Sequence, residues 1–170
     1  RIFAEALGVS QNDLYEIDTA SNRGIDDIRA VKDAVSTLPF DSKYKVYIID
    51  EAHMLTKEAW NALLKTLEEP PAHVIFILAT TELEKIPETI MSRCESHTFR
   101  KPDQNILTEV IKQTAKKEGF TIEDEAVEVL ALLADGSFRD AHGALQKILS
   151  SVSGKKVSLG DVETISGAPK

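Results

Sequence analysis

Basic side chains are the scarcer sign in this 170-residue chain: 20 Lys and Arg stand against 28 Asp and Glu, leaving a formal net charge of -8. That balance excludes binding to nucleic acid through bulk charge, so any phosphate contact has to be made by a few local groups. Cysteine is nearly missing. The one thiol, Cys94, rules out an internal disulfide and any multi-cysteine zinc site, and fits a reducing compartment. The four histidines, His53, His73, His97 and His142, are too scattered to suggest a metal cluster. No apolar run reaches the length of a membrane span, and the first residues lack the pattern of a secretory signal. Internal repeats and low-complexity tracts are absent. So is GxxxxGK[ST], the glycine-rich loop that cradles nucleotide phosphates.

What is present is enough apolar sequence for a core: 42% of residues are hydrophobic, and they recur at helical spacing. The length suits one α/β domain with a small companion. The pattern centres on Lys43 to Glu51, KYKVYIIDE. Val46, Tyr47, Ile48 and Ile49 suit a strand buried on both faces of a parallel sheet. Asp50 and Glu51 then stand at its C-terminal end, the edge where open α/β sheets bind ligands. In a Walker B reading, Asp50 holds Mg²⁺ against nucleotide phosphates and Glu51 orients or deprotonates the attacking water. Taken alone, an apolar run followed by Asp-Glu is equally compatible with a strand that simply ends in solvent.

Around this strand the chain alternates. Ile2, Phe3, Ala6 and Leu7 share a helical face that stops at Gly8, and Leu14 to Ile17 reads as a short strand. A polar loop, Asp18 to Gly24, leads into a helix from about Ile25 to Ser36, with Ile28, Val31 and Val35 inward. Thr56 caps a helix running to about Glu68, with Trp60, Leu63, Leu64 and Leu67 on one face, and Pro70 and Pro71 end it. His73 to Ala79 is a further apolar strand that carries Thr80 and Thr81 at its end. A short helix over Ile86 to Met91, a turn at Ser92 to Glu95 and a last strand at Ser96 to Phe99 complete this part.

After Pro102 the strand signals vanish. Helices are expected at about 103–118, 123–134, 138–151 and 159–165, with capping signatures at Thr121/Asp124, Ser137/Asp140 and Ser158/Asp161. The expected organisation is a partial parallel α/β core over residues 1–101 and a small all-helical domain over 102–170.

In order, VYIIDEAHML, ALLKTLEEPP, FILATTE, SRCE and GSFRDA resemble an AAA+ clamp-loader ATPase, and LEEPP narrows the resemblance to the gamma/tau family of bacterial DNA polymerase III. The resemblance spans nearly the whole chain. It implies a P-loop NTPase fold with a helical lid, an ATPase that loads a sliding clamp on primed DNA during replication, and a cytoplasmic, nucleoid-associated location. ATP and Mg²⁺ are the implied cofactors. The implied partners are other clamp-loader subunits in a hetero-pentamer, the sliding clamp and primed DNA, with no membrane.

The same resemblance assigns roles. Asp50 resembles the Mg²⁺-organising Walker B aspartate, and Glu51 the catalytic glutamate. Thr81 matches sensor 1; Thr80 stays open beside it, because alternation alone does not say which threonine faces the site. Arg93 in SRCE resembles an arginine finger that acts on the neighbouring subunit's nucleotide, and Arg139 in GSFRDA matches sensor 2, which ties the lid to the nucleotide. An arginine in the first turn of a helix sits poorly beside the positive helix end, which favours an anionic partner for Arg139. Arg23, Gly24, Arg29, Lys65, Lys85 and Thr89 match positions that track the DNA backbone. Cys94 is expected to pack beside Arg93, and Trp60 to belong to the core.

Two departures qualify this. Without the P-loop the chain is expected to begin just past that motif, to end before the collar domain through which such subunits assemble, and to bind ATP weakly and hydrolyse none by itself. The family's common four-cysteine module, which falls between Leu7 and Leu14, is replaced by a few residues, so no zinc site is expected. Two other readings of the motifs are a non-hydrolysing, stator-like clamp-loader subunit and a small subunit of the replication factor C kind. Asp50-Glu51-Ala52-His53 also matches a DEAH-type helicase, but the Ser-Ala-Thr motif and paired arginines of that class are missing.

Overall fold

Three parallel strands form the sheet: β1 (Leu14–Asp18), β2 (Lys45–Asp50) and β3 (Val74–Leu78), in the order β1-β2-β3. The computed structural model describes residues 1–22 and 24–167. The chain divides into two compact units, Arg1–His97 and Thr98–Lys170.

In the first unit β2 is the central strand, and its side chains alternate between two apolar layers as its sequence demands. Val46 packs with Ala4 of α1 (Ile2–Ala6) and with Val9 on one face. Tyr47 joins Val31 and Val35 of α2 (Ile25–Val35), and Ile49 joins Trp60, Leu63 and Leu67 of α3 (Lys57–Glu68) on the other. Each such side chain removed from water stabilises the fold by roughly 1.5–3 kcal/mol. Thr56 caps α3 by accepting the Ala59 N–H at 3.2 Å. The end of α2 is closed from the sheet: the buried Lys45 ammonium donates to Ala34 O, Thr37 O and Thr37 Oγ1 at 3.0, 3.2 and 2.6 Å. A cation suits the carbonyl end of a helix. After a short turn, α4 (Glu88–Met91) contributes Ile90 to the α3 core.

Just before the start of β1, Asp13 is buried, and its carboxylate accepts the N–H groups of Phe40, Asp41 and Ser42 at 2.5, 2.8 and 2.8 Å. Burial alone would push this carboxyl up, but those three N–H donors and the Ser42 hydroxyl outweigh it and hold the group at about 2.

The second unit is helical: α5 (Gln104–Lys117), α6 (Asp124–Leu133), α7 (Phe138–Ser151) and α8 (Leu159–Ser166) close around Leu107, Ile111, Leu130, Leu145 and Val162. A two-residue parallel ladder between β4 (Thr121–Ile122) and β5 (Lys156–Val157) ties two of its loops together.

Two local expectations give way. Ser96–Phe99 is not a strand; Phe99 is 93% exposed, and an alternating pattern without a neighbouring strand has nothing to pair with. Thr121 does not cap α6. Its N–H donates to Lys155 O within the β4–β5 ladder, and Glu123 takes the N-cap position. Ser137 and Ser158 do cap, accepting the Asp140 and Asp161 N–H groups at 3.1 and 3.3 Å.

Candidate functional site

Strand register decides which polar groups meet. Asp18 pairs with Asp50 across β1 and β2, and Ile49 pairs with Leu78 across β2 and β3, so the three strands end at one edge. Asp50 is exposed there, and its Oδ1 accepts the Glu51 N–H at 3.1 Å. Glu51 then leaves the strand in the left-handed region, φ 48° and ψ 44°, a conformation that costs a residue with a Cβ about 1–2 kcal/mol. Its neighbours hold it: the Ala52 N–H donates to Ala79 O at 2.8 Å, and the fully buried Thr19 hydroxyl lies 2.9 Å from Asp50 O and 2.6 Å from Glu51 O. Thr19 was not singled out from sequence, though its place one residue past a strand in register with Asp50 is a usable signal.

The two threonines at the end of β3 turn different ways. Thr81 Oγ1 donates to Glu51 Oε2 at 3.2 Å. Thr80 Oγ1 instead accepts the Glu82 N–H at 3.0 Å and lies 3.0 Å from His53 Nδ1. Thr81 is therefore the threonine that faces Glu51. His53, whose side chain is 8% exposed, stands between two carboxylates: Nδ1 is 3.4 Å from Glu51 Oε2, and Nε2 is 3.2 Å from Glu82 Oε1. Lys85 completes the row with Nζ 2.6 Å from Glu82 Oε2. That lysine, with a smaller contribution from His53, holds the Glu82 carboxyl below its usual range.

Arg93 lies in the same unit, after α4. Its guanidinium pairs with Glu68 at the end of α3 and donates to the Thr89 carbonyl. Neither contact is foreseeable from a sequence separation of 25 and 4 residues without the fold. Cys94 beside it is half-buried, and burial pushes its thiol up, so it packs rather than reacts. Trp60 is buried in the α3 core. Arg139 belongs to the second unit, exposed at the second residue of α7.

Of the residues matched to backbone tracking, Gly24 starts α2 with its N–H donating to Asp27 Oδ2 at 3.1 Å, and Arg29 pairs with Asp26 at 3.0 Å. Lys65 is exposed on α3, Lys85 is paired as described, and Thr89 is exposed with its carbonyl taken by Arg93. Arg23 lies outside the described residues. Among the described residues no cluster of His, Cys, Asp and Glu has the arrangement of a metal centre, and no helix is long and apolar enough to cross a membrane.

The family described as DNA polymerase III, delta subunit matches residues 7–103, more than half of the chain. The chain belongs to that family. Its curated relatives carry gamma and tau names: it is 49% identical over 151 residues to the gamma/tau subunit of Mycoplasma pneumoniae, covering 89% of this chain and 22% of that protein. It is 46% identical over 159 residues to the tau subunit of Bacillus subtilis, covering 94% and 28%. The chain thus spans about a quarter of the length of these DNA polymerase III subunits. Among solved structures, the RuvB Holliday junction branch migration motor of Thermotoga maritima superposes with a TM-score of 0.79 at 21% identity, over 98% of this chain and 55% of that one. That likeness establishes the fold: a parallel-sheet core followed by a helical part.

Proposed function

We propose that this chain is the core and lid segment of an ATP-driven clamp-loader subunit, which couples ATP binding and hydrolysis to the loading of a sliding clamp on primed DNA. The Thr81–Glu51 contact beside Asp50 carries this reading. It sets a carboxylate base, a polar sensor and a cation-binding carboxylate on one strand edge, in a chain 46–49% identical to gamma/tau subunits.

Carboxylate and hydroxyl oxygens suit Mg²⁺, and Asp50 is exposed enough to take it. Bound Mg²⁺–ATP would supply the phosphoryl group to be transferred and part of its charge neutralisation. Asp50 would hold the ion. Glu51, kept on the edge by its backbone turn and by Thr81, would accept a proton from the attacking water. Arg93 would serve the nucleotide of an adjoining subunit, and Arg139 would tie the helical unit to nucleotide occupancy. The phosphate cradle is not in this sequence, and the chain spans about a quarter of its gamma/tau relatives, so hydrolysis is proposed for the full-length protein.

The partners of this reading are the other clamp-loader subunits of a hetero-pentamer, the sliding clamp and primed DNA. Gly24, Arg29, Lys65, Lys85 and Thr89 would contact the DNA backbone without reading bases, giving sequence-independent, salt-sensitive binding. Arg29 and Lys85 are already paired with carboxylates, which a phosphate would have to displace.

A stator-like, non-hydrolysing subunit is the second reading, favoured by the delta name of the matching family. The presence of Asp50 beside Glu51, and the contact of Glu51 with Thr81, favour the motor. ATP turnover by the full-length protein, assembled with its partner subunits, decides between them. Stimulation by clamp plus primed DNA is the expected result. Intact assembly with no turnover overturns it in favour of the stator.

A further inference from the structure

His53 occupies a place that the Walker B chemistry does not by itself require. It is nearly buried, yet three polar groups surround its ring: Thr80 Oγ1, Glu51 Oε2 and Glu82 Oε1. Their chemistry fixes the neutral ring's tautomer. Glu82 is ionised and only accepts, so Nε2 carries the proton and donates to it. Nδ1 is left as an acceptor, and the Thr80 hydroxyl, which already accepts the Glu82 N–H, donates to it. Both ring nitrogens are thereby used, and the ring is held at both ends.

We propose that His53 is a positioning residue for Glu51. One edge of its ring stands 3.4 Å from Glu51 Oε2, the same oxygen that receives the Thr81 hydroxyl. Thr81 holds that oxygen by a hydrogen bond, while the imidazole edge, whose Nδ1 accepts and cannot donate to it, stands against it as a non-bonded contact that limits how far the carboxylate can move toward the ring. The Thr80 hydroxyl is kept on His53 and away from Glu51, so a single threonine addresses the base. Glu82 anchors the far side of the ring and is itself fixed by Lys85 at 2.6 Å. A catalytic base misplaced by about 1 Å can lose about 10²-fold in rate, so a buried strut on one side of it matters to turnover.

This inference rests on the ATPase reading above, and its test separates the two. In the full-length protein assembled with its partner subunits, His53→Ala is expected to lower kcat at least tenfold while nucleotide affinity, measured by equilibrium binding, changes less than twofold. His53→Asn, whose carbonyl can replace Nδ1 toward Thr80, is expected to recover more of kcat than His53→Gln, whose amide reaches only toward Glu82. Thr80→Val, isosteric and without the hydroxyl, is expected to lower kcat in the same direction with nucleotide affinity again changed less than twofold, and, because the hydroxyl also accepts the Glu82 N–H, with a lowered thermal midpoint. Wild-type turnover in His53→Ala, or full recovery in Gln but not in Asn, overturns the positioning role and leaves the ATPase reading intact. Absence of turnover in the wild-type assembly overturns both.

Discussion

The carboxylate of Glu68, at the end of α3, pairs with the guanidinium of Arg93, which also donates to the carbonyl of Thr89. The proposed finger is thus aimed from within its own unit. A partly exposed pair of this kind is worth about 0–1 kcal/mol, whereas an arginine finger contributes about 10³-fold or more to phosphoryl transfer. Releasing Glu68 to reach a neighbour's nucleotide is therefore cheap.

Arg93→Ala, placed beside wild-type subunits, should lower turnover at the neighbouring site by roughly 10³-fold. Its own nucleotide affinity should be preserved. Glu68→Ala should stay within about threefold of wild type, since only a weak pair is lost. A mixed-subunit ATPase assay reads both, and a loss confined to the mutated subunit's own site contradicts the role in trans.

Glu51→Gln keeps the shape and the contact with Thr81 but removes the base. Nucleotide binding should persist while turnover drops by about 10²- to 10⁴-fold, the usual contribution of a positioned acid or base. Rapid-quench measurement of a single turnover would separate this loss from slow product release, and normal chemistry in that experiment would remove Glu51 from the mechanism.

Tyr47 is stacked between Tyr15 and Phe76, with ring centroids 5.0 and 5.5 Å away, and its hydroxyl has no hydrogen-bond partner among the described residues. Burial, with a smaller effect of Tyr15, pushes this phenol up to about 12. Tyr47→Phe should leave stability unchanged or raise it by about 1 kcal/mol in urea unfolding. A raised phenol pKa contributes stability that is present below about 10 and lost as the pH rises toward 12, so the Phe variant should also lose alkaline sensitivity in that window. Destabilisation at neutral pH would reveal a partner for the hydroxyl.

Asp13 fastens the loop at Phe40, Asp41 and Ser42 through three N–H groups. Its depressed pKa means that the stability it confers is complete above the ordinary value of 3.8 and is lost as the pH falls through about 2. Asp13→Asn should destabilise the fold at neutral pH by on the order of 2 kcal/mol, with the gap to wild type closing in acid. Urea midpoints measured at neutral pH and near pH 2 test this; a gap that persists at low pH excludes the carboxylate charge as its source.

The central strand, its acidic end and the stripe of α3 were legible because each is a local pattern: an apolar run, a change of polarity, a helical spacing. The contacts that make a site of them were not. Glu68 and Arg93 lie 25 residues apart, and no local rule pairs them. His53 looked like one of four scattered histidines until the 82–85 turn brought Glu82 against it. Thr80 and Thr81 could be told apart only once the backbone after β3 was seen to turn. The same limit explains Thr121, whose spacing to Asp124 satisfies a capping rule while a two-residue ladder claims its backbone.

The left-handed backbone at Glu51 makes this position a conflict between activity and robustness. A carboxylate occupies a turn that glycine would adopt without strain. Glu51→Gly should therefore be catalytically dead yet as hard to unfold as wild type, or harder by up to about 1 kcal/mol. An unfolding titration of that variant compares the two demands at a single residue. Selection for thermal stability alone would be expected to discard the very side chain proposed here as the base.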